Sequence, residues 1–279
     1  MQPEPKLPTE GIHLDIDEPL YHADPLSISS TQAKTLIHKG PDVYKEKAAE
    51  ERGYNPALSI GSVVHALVLG VGAYEVMFFD NWRTKKSKEA RDEAIAADRA
   101  PILYRDFTMA EQMASSVRAH PAATELLAQG NPEVSMWATD PDTGVLMRGR
   151  TDWLNHRNVD LKTTGRPADQ ESFMHTVWDF GYAFQAAWYE HILELLGQPV
   201  EGTSWIAVSK REPYEAGVFV PDAGLMEVGR RDVRRALALY AACKESDTWP
   251  TLEEAWKIPG VGAPGLADDL RYVESVTAV

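Results

Sequence analysis

Arg148-Gly149-Arg150-Thr151-Asp152-Trp153-Leu154, then Val159-Asp160-Leu161-Lys162-Thr163-Thr164, is the stretch whose reading decides the fold. Side chains two apart in a strand share a face, so Asp160 and Lys162 point one way while Val159 and Leu161 face the core. On the preceding strand Asp152 shares its row with Arg150 and Arg148. Asn155-His156-Arg157-Asn158 makes a tight connection between the strands. With the tip near His156, Asp152 falls opposite Asp160, their side chains about 5 Å apart. Two carboxylates that close repel each other and need a compensating cation. Lys162 supplies one charge, and a divalent metal would supply more.

Ligation rich in oxygen suits Mg²⁺ or Mn²⁺. Such an ion acidifies water and polarises a phosphoryl oxygen, and Lys162 beside it could orient or deprotonate water or neutralise charge growing on a phosphate. The implied chemistry is metal-assisted attack of water on a phosphodiester. An isolated D-x-K tripeptide is more often a surface ion pair; here Asp152, eight residues upstream on a partner strand, gives it weight.

Outward from this hairpin, residues 134–139 read as a strand joined to 145–154 through the turn Pro141-Asp142-Thr143-Gly144. A long helix is expected over 172–196, strands at 204–208 and 214–220, and a last helix from the N-cap Asp222 to about Cys243. Upstream, Ser29-Ser30-Thr31 offers caps for a short helix through Leu36, and 57–69 is an apolar helix carrying His65. Residues 109–129 read as helical, with Pro121 starting a new first turn. The pattern is one α+β domain, a central mixed sheet flanked by helices with an N-terminal helical region, over residues 26–250. Pro3, Pro5, Pro8 and Pro19 make 1–25 an extended arm, and 251–279 reads as a tail.

The chain has 279 residues, and 44% hydrophobic content is enough to fill a core, which excludes a disordered or collagen-like chain. No apolar run approaches the ~18–20 residues of a membrane span, and no signal peptide opens the sequence. The lone Cys243 permits neither an internal disulfide nor a four-thiolate cluster, so the expected address is the cytoplasm. With 28 Lys+Arg against 42 Asp+Glu, the net charge of −14 argues against nucleic-acid binding by bulk attraction. A DNA enzyme of this charge must gather its cations. Arg148 and Arg150 beside Asp152 are the first candidates for DNA contact, and Arg83, Lys85, Lys86 and Lys88 could line an entrance. Arg230, Arg231, Arg234 and Arg235 read as a solvated helix face.

Two further pieces stay open on spacing alone. Gln185 and Tyr189, four apart on a helix, share a face and could orient a nucleophile or grip a phosphate. On spacing alone the reading as a surface glutamine and a core aromatic is favoured. His65 reads as a packed core histidine, although neutral imidazole is also a common metal ligand.

The set Gly61-Ser62-Val63-Val64-His65, Arg148 to Asp152, Asp160 to Thr164 and Gln185-Ala186-Ala187-Trp188-Tyr189 resembles the PD-(D/E)XK nuclease superfamily. More narrowly, it resembles the C-terminal nuclease domain of exonuclease VIII (RecE) from phages and prophages, over roughly residues 25–250. The resemblance implies that His65, Asp152, Asp160 and the Leu161 carbonyl hold the metal, with Glu133 as a further acidic residue. It implies that Lys162 is catalytic and that Gln185 and Tyr189 form the supporting Q-x-x-x-Y motif. It further implies Mg²⁺-dependent 5′→3′ digestion of linear double-stranded DNA ends, a homo-tetrameric ring and a RecT-type annealing partner. A ring with an acidic exterior and a basic channel would reconcile the charge with DNA. The alternatives are a RecB-like or Cas4-like repair nuclease acting on single-stranded ends, and a catalytically silent DNA-end-binding scaffold.

Overall fold

The computed structural model describes residues 9–48, 56–258, 261 and 273–275. The first elements are β1 (Gly11–His13), α1 (Glu18–Ala23), β2 (Ile28–Ser29), α2 (Ser30–Lys39), α3 (Pro41–Ala48) and α4 (Pro56–Leu69). A small layer follows, with β3 (Tyr74–Met77), α5 (Lys85–Ala96) and β4 (Ala100–Leu103), then α6 (Tyr104–Ala119) and α7 (Pro121–Leu126). The centre is β5 (Asn131–Thr139), β6 (Leu146–Leu154), β7 (Asn158–Thr164), α8 (Gln170–Phe180), α9 (Tyr182–Leu195), β8 (Thr203–Ser209) and β9 (Ala216–Pro221). The chain closes with α10 (Ala223–Ser246), α11 (Leu252–Ala255) and β10 (Val273–Ser275).

The main sheet runs β1-β5-β6-β7-β8-β9-β10, with β2 added beside β6, and β3 pairs with β4 separately. It is mixed: β7–β8 and β2–β6 are parallel and the other neighbours antiparallel. One edge of β6 is paired along its length with β5. The other edge is shared, with β2 against Met147 and Arg148 and β7 against Trp153 and Leu154. Between these two short ladders the strands part, and this wedge is where the candidate site lies.

Apolar periodicity seats the layers. On one side Val63 and Val64 of α4 and Met113 and Val117 of α6 pack with Val159, Leu161, Ile206 and Val208. On the other, α2, α8, α9 and α10 bury Leu36, Phe173, Trp188 and Leu237 with Trp205 and Phe219. Full burial of each such side chain is worth about 1.5–3 kcal/mol, so the two faces clamp the sheet. Gly149 explains how closely α9 sits. A Cβ there would lie 2.8 Å from Tyr189 Cδ1.

The expected single helix over 172–196 is two helices. Gly181 adopts φ 61°, ψ 47°, ending α8 and starting α9, a left-handed conformation that glycine enters without a Cβ penalty. The expected extended arm is also corrected within its described part. Gly11–His13 joins the sheet beside β5, and Pro19 sits in the first turn of α1, where its missing N–H has no helical partner to lose. Residues 1–8, with the three other prolines, lie outside the described residues, as do 259–260, 262–272 and 276–279 of the expected tail. From that tail, β10 pairs with β9.

Arg148 is not a DNA contact. It is 2% exposed, and its guanidinium donates to the Asp24 and Ser27 carbonyls at 3.0 and 2.5 Å, to Ser27 Oγ and to Gln32 Oε1. The 24–27 segment, entering β2, covers this end of β6 and uses the charge for itself. Arg148→Met should lower the unfolding free energy by roughly 2–3 kcal/mol in urea titrations, the scale of hydrogen bonds made by a charged donor. Unchanged stability with weakened DNA binding would restore the interface role.

Candidate active site

The β6–β7 register places the acidic residues. Trp153 pairs with Val159 and Leu154 with Asn158, so Asp152 falls opposite Asp160 one step beyond the ladder, as the hairpin spacing expects. There the backbone of β7 turns to side chains for partners. Leu161 N–H donates to Asp152 Oδ2 at 2.7 Å, and the Leu161 carbonyl accepts from His65 Nε2 at 2.7 Å. Because that carbonyl can only accept, Nε2 carries a proton. His65 Nδ1 faces Asp152 Oδ2 at 3.7 Å, beyond hydrogen-bond length. The apolar helix α4 thus presents its histidine to the wedge.

Glu133 joins this group. The pairs Pro132–Trp153 and Val134–Thr151 put it opposite Asp152 on the other side of β6. Its φ of 50° is a left-handed conformation that costs a non-glycine residue on the order of 1 kcal/mol, the kind of strain that clusters at functional sites. One ligating atom each from His65, Glu133 and Asp152 lies within 4.8 Å of the others. Asp160 is outside this tightest trio but is close enough to Asp152 for that carboxylate to disfavour its ionisation. The structure therefore promotes Glu133 to a central place, and the β5–β6 turn spacing carried that signal.

Lys162 is held from three sides. Its Nζ lies 2.6 Å from Asp160 Oδ2, donates to Gln185 Oε1 at 3.0 Å and sits 4.5 Å from the centre of the Tyr182 ring. Gln185 Nε2 in turn donates to Tyr189 Oη at 3.0 Å. The Gln185–Tyr189 pair thus aims the ammonium.

Charge is unbalanced here. Burial, aided by the Asp152 carboxylate, pushes Asp160 up to about 6 even though Lys162 pulls the other way. Burial also raises Glu133, against the pull of His65 and Arg150. Burial disfavours the Lys162 ammonium, but Asp160, Tyr182 and Asp152 together hold its pKa above the usual lysine value. Asp160 and Asp152 therefore crowd the Lys162 ammonium, while Glu133 stands with His65 and Asp152 on the other side of the cluster. The donors present are carboxylate oxygens, a carbonyl and an imidazole, a set that fits a hard divalent cation.

Arg150 borders the site, where it pulls on Glu133, and its Nε donates to Ser135 Oγ and its Nη2 to the Ile16 carbonyl while it lies over the Tyr21 ring. The other basic candidates lie elsewhere. Arg83, Lys85 and Lys86 are exposed around the first turn of α5, which Thr84 caps, and Lys85 lies 3.6 Å from Glu89. None of the three contacts the site among the described residues. Arg230, Arg231 and Arg234 are exposed and pair with neighbouring acids, whereas Arg235 departs from the expected solvated face: its side chain is 11% exposed, pairs with Asp232 and donates to the Val261 carbonyl.

Residues 29–257 match the family described as "PDDEXK-like domain of unknown function (DUF3799)". The chain belongs to that PDDEXK-like family. Membership places it in the PD-(D/E)XK nuclease superfamily, in line with the resemblance of its motifs. A crystal structure of a protein from Eubacterium rectale, described as a "Putative exonuclease", shares the fold with a TM-score of 0.62. The two are 16% identical, and the match covers 86% of this chain and 90% of that one. No curated protein matches the sequence. Among the described residues no helix of this PDDEXK-like chain is long and apolar enough to cross a membrane.

A cation held here competes with protons for Asp160 and Glu133. Mn²⁺ affinity measured by calorimetry should fall as pH drops through about 6, by up to about tenfold per unit, because the carboxyls must ionise to bind. Affinity constant from pH 7 to 5 would remove Asp160 from the site.

Proposed function

We propose that this PDDEXK-like chain is a divalent-cation-dependent DNA exonuclease that hydrolyses the phosphodiesters of linear double-stranded DNA, with Mg²⁺ as the working ion. The observation that carries this reading is the grouping of Glu133, Asp152 and His65 within 4.8 Å, next to the Asp160–Lys162 pair and the Leu161 strand carbonyl. Such a cluster lacks positive charge, and a phosphodiester brought to it needs that charge as well.

His65, Glu133, Asp152, Asp160 and the Leu161 carbonyl are the residues that would hold the ion. When bound, the ion supplies Lewis-acid stabilisation of the phosphoryl oxygens and a more acidic water. Lys162 does the rest as a cation. Held by Asp160, it acts as a cation that orients water and opposes the charge that grows on phosphate. Water oxygen bonds to phosphorus as the bridging P–O bond breaks, and the departing oxygen leaves with a proton. Gln185 and Tyr189 are positioning residues that hold Lys162 against this work. The exposed cations Arg83, Lys85, Lys86 and Lys88 are a second place for duplex contact, and 5′→3′ polarity follows the RecE-type resemblance.

The test is nucleotide release from linear and covalently closed duplex DNA with Mg²⁺, Mn²⁺ or EDTA. The parent should degrade only the linear form and stop in EDTA. Lys162→Met and Asp152→Asn should each lower the rate at least about a hundredfold while remaining folded. Full activity in EDTA, or in Lys162→Met, contradicts the reading. Binding to DNA ends without degradation would favour the silent scaffold.

A further inference from the structure

One half-buried cation has no part in the site so far. Lys34 of α2 is half-buried, and its Nζ donates to the Phe180 carbonyl at 2.9 Å. It has no carboxylate ion pair among the described residues, and partial burial without one disfavours the charged form. Its stem lies against the α8–α9 joint, with Cδ 3.1 Å from where a Gly181 Cβ would stand. Burial, then repulsion from Lys162, lowers its pKa to about 8, with Asp160 pulling the other way. Lys34 is thus close enough to the site to feel both residues.

The same joint exposes an aromatic. Phe180 is 58% exposed, a large hydrophobic side chain left to solvent. One face stacks on Tyr182 with centroids 5.8 Å apart at 21°, and the Tyr182 ring in turn lies beside Lys162 Nζ. An unpaired ammonium, an exposed ring and the site's own lysine therefore occupy one corner, held by Phe180, Gly181 and Tyr182. An ammonium wanting an anion beside a bare π-face is the pairing that a nucleotide satisfies, phosphate on one and base on the other.

We propose that the α8–α9 joint is a strand-holding subsite next to the cleavage site, in which Lys34 binds a backbone phosphate of the DNA strand and the outer face of Phe180 stacks on a base. This rests on the nuclease reading above and adds its substrate contacts. The phosphate relieves the uncompensated charge of Lys34 and its repulsion with Lys162. Stacking on Phe180 is indifferent to sequence, as an enzyme that digests any strand requires.

The experiment measures anisotropy of a short fluorescein-labelled linear duplex in Ca²⁺ buffer across a salt series. The proteins are the parent, Lys34→Met, Lys34→Arg and Phe180→Ala, with Mn²⁺ affinity and melting temperature measured alongside. Lys34→Met should bind about tenfold more weakly, with a salt slope smaller by about one ion, and Lys34→Arg should keep most of both. Phe180→Ala should bind about tenfold more weakly with the slope unchanged, since it loses stacking and no charge. Mn²⁺ affinity should be the same in all four, and a merely structural role for Lys34 would not change the salt slope. If Lys34→Met melts lower than the parent, Lys34→Gln replaces it. Parent-like binding in either Phe180→Ala or the charge-removing Lys34 variant overturns the subsite. Absence of nucleotide release by the parent in Mg²⁺ or Mn²⁺ would instead defeat the nuclease reading, and the binding differences would still decide the subsite.

Discussion

The hydrogen bond from Leu161 N–H to Asp152 marks the constraint on which the site depends: β6 and β7 must part just where their carboxylates meet. Had the ladder continued, the Leu161 backbone groups would have been spent on β6, and no carbonyl would face His65. Because β2 takes the far end of the same β6 edge, the gap is closed above and below and open in the middle. The buried N–H and C=O exposed by the split still require partners, and Asp152 and His65 meet that requirement. Strand divergence thus converts two backbone groups and two side chains into a cluster of donors.

Electrostatics then decides what that cluster can do. Two hydrophobic layers bury Asp160 almost completely, and burial raises its pKa more than Lys162 lowers it. The α9 helix adds the Gln185–Tyr189 relay, and it reaches Lys162 because Gly149 lets the Tyr189 ring lie directly on β6. The glycine of the Arg148-Gly149-Arg150 run thereby has a physical reason that belongs to the site. Packing sets the geometry, and the resulting excess of negative charge sets the need for a cation.

Parts of this are legible in the residues. The three-residue tip between the paired Leu154 and Asn158 determines that Asp152 opposes Asp160, because antiparallel register is counted from the turn. The same counting through the turn at 141–144 leads to Glu133, whose place opposite Asp152 is therefore implicit in the spacing of the residues. Arg148 departs from its expected role for a reason spacing cannot reveal. Its row is shared with Asp152, but only the tertiary fold shows the 24–27 segment covering that end of the strand. The spacing of Gln185 and Tyr189 announces a shared face and is silent about Lys162 as its target, which comes from the packing of α9 on β7. Lys34 gives no signal at all, since a lysine in a short amphipathic helix reads as solvated until its burial is seen.

A crystal soaked in Mn²⁺ and read by anomalous scattering tests the central claim most directly. The account expects a peak bonded to Asp152 and to the Leu161 carbonyl at the roughly 2.1–2.2 Å of hard-ion coordination, with Glu133, Asp160 or His65 completing the shell. A peak elsewhere, or an empty wedge with Asp152 still on Leu161 N–H at saturating Mn²⁺, would contradict it.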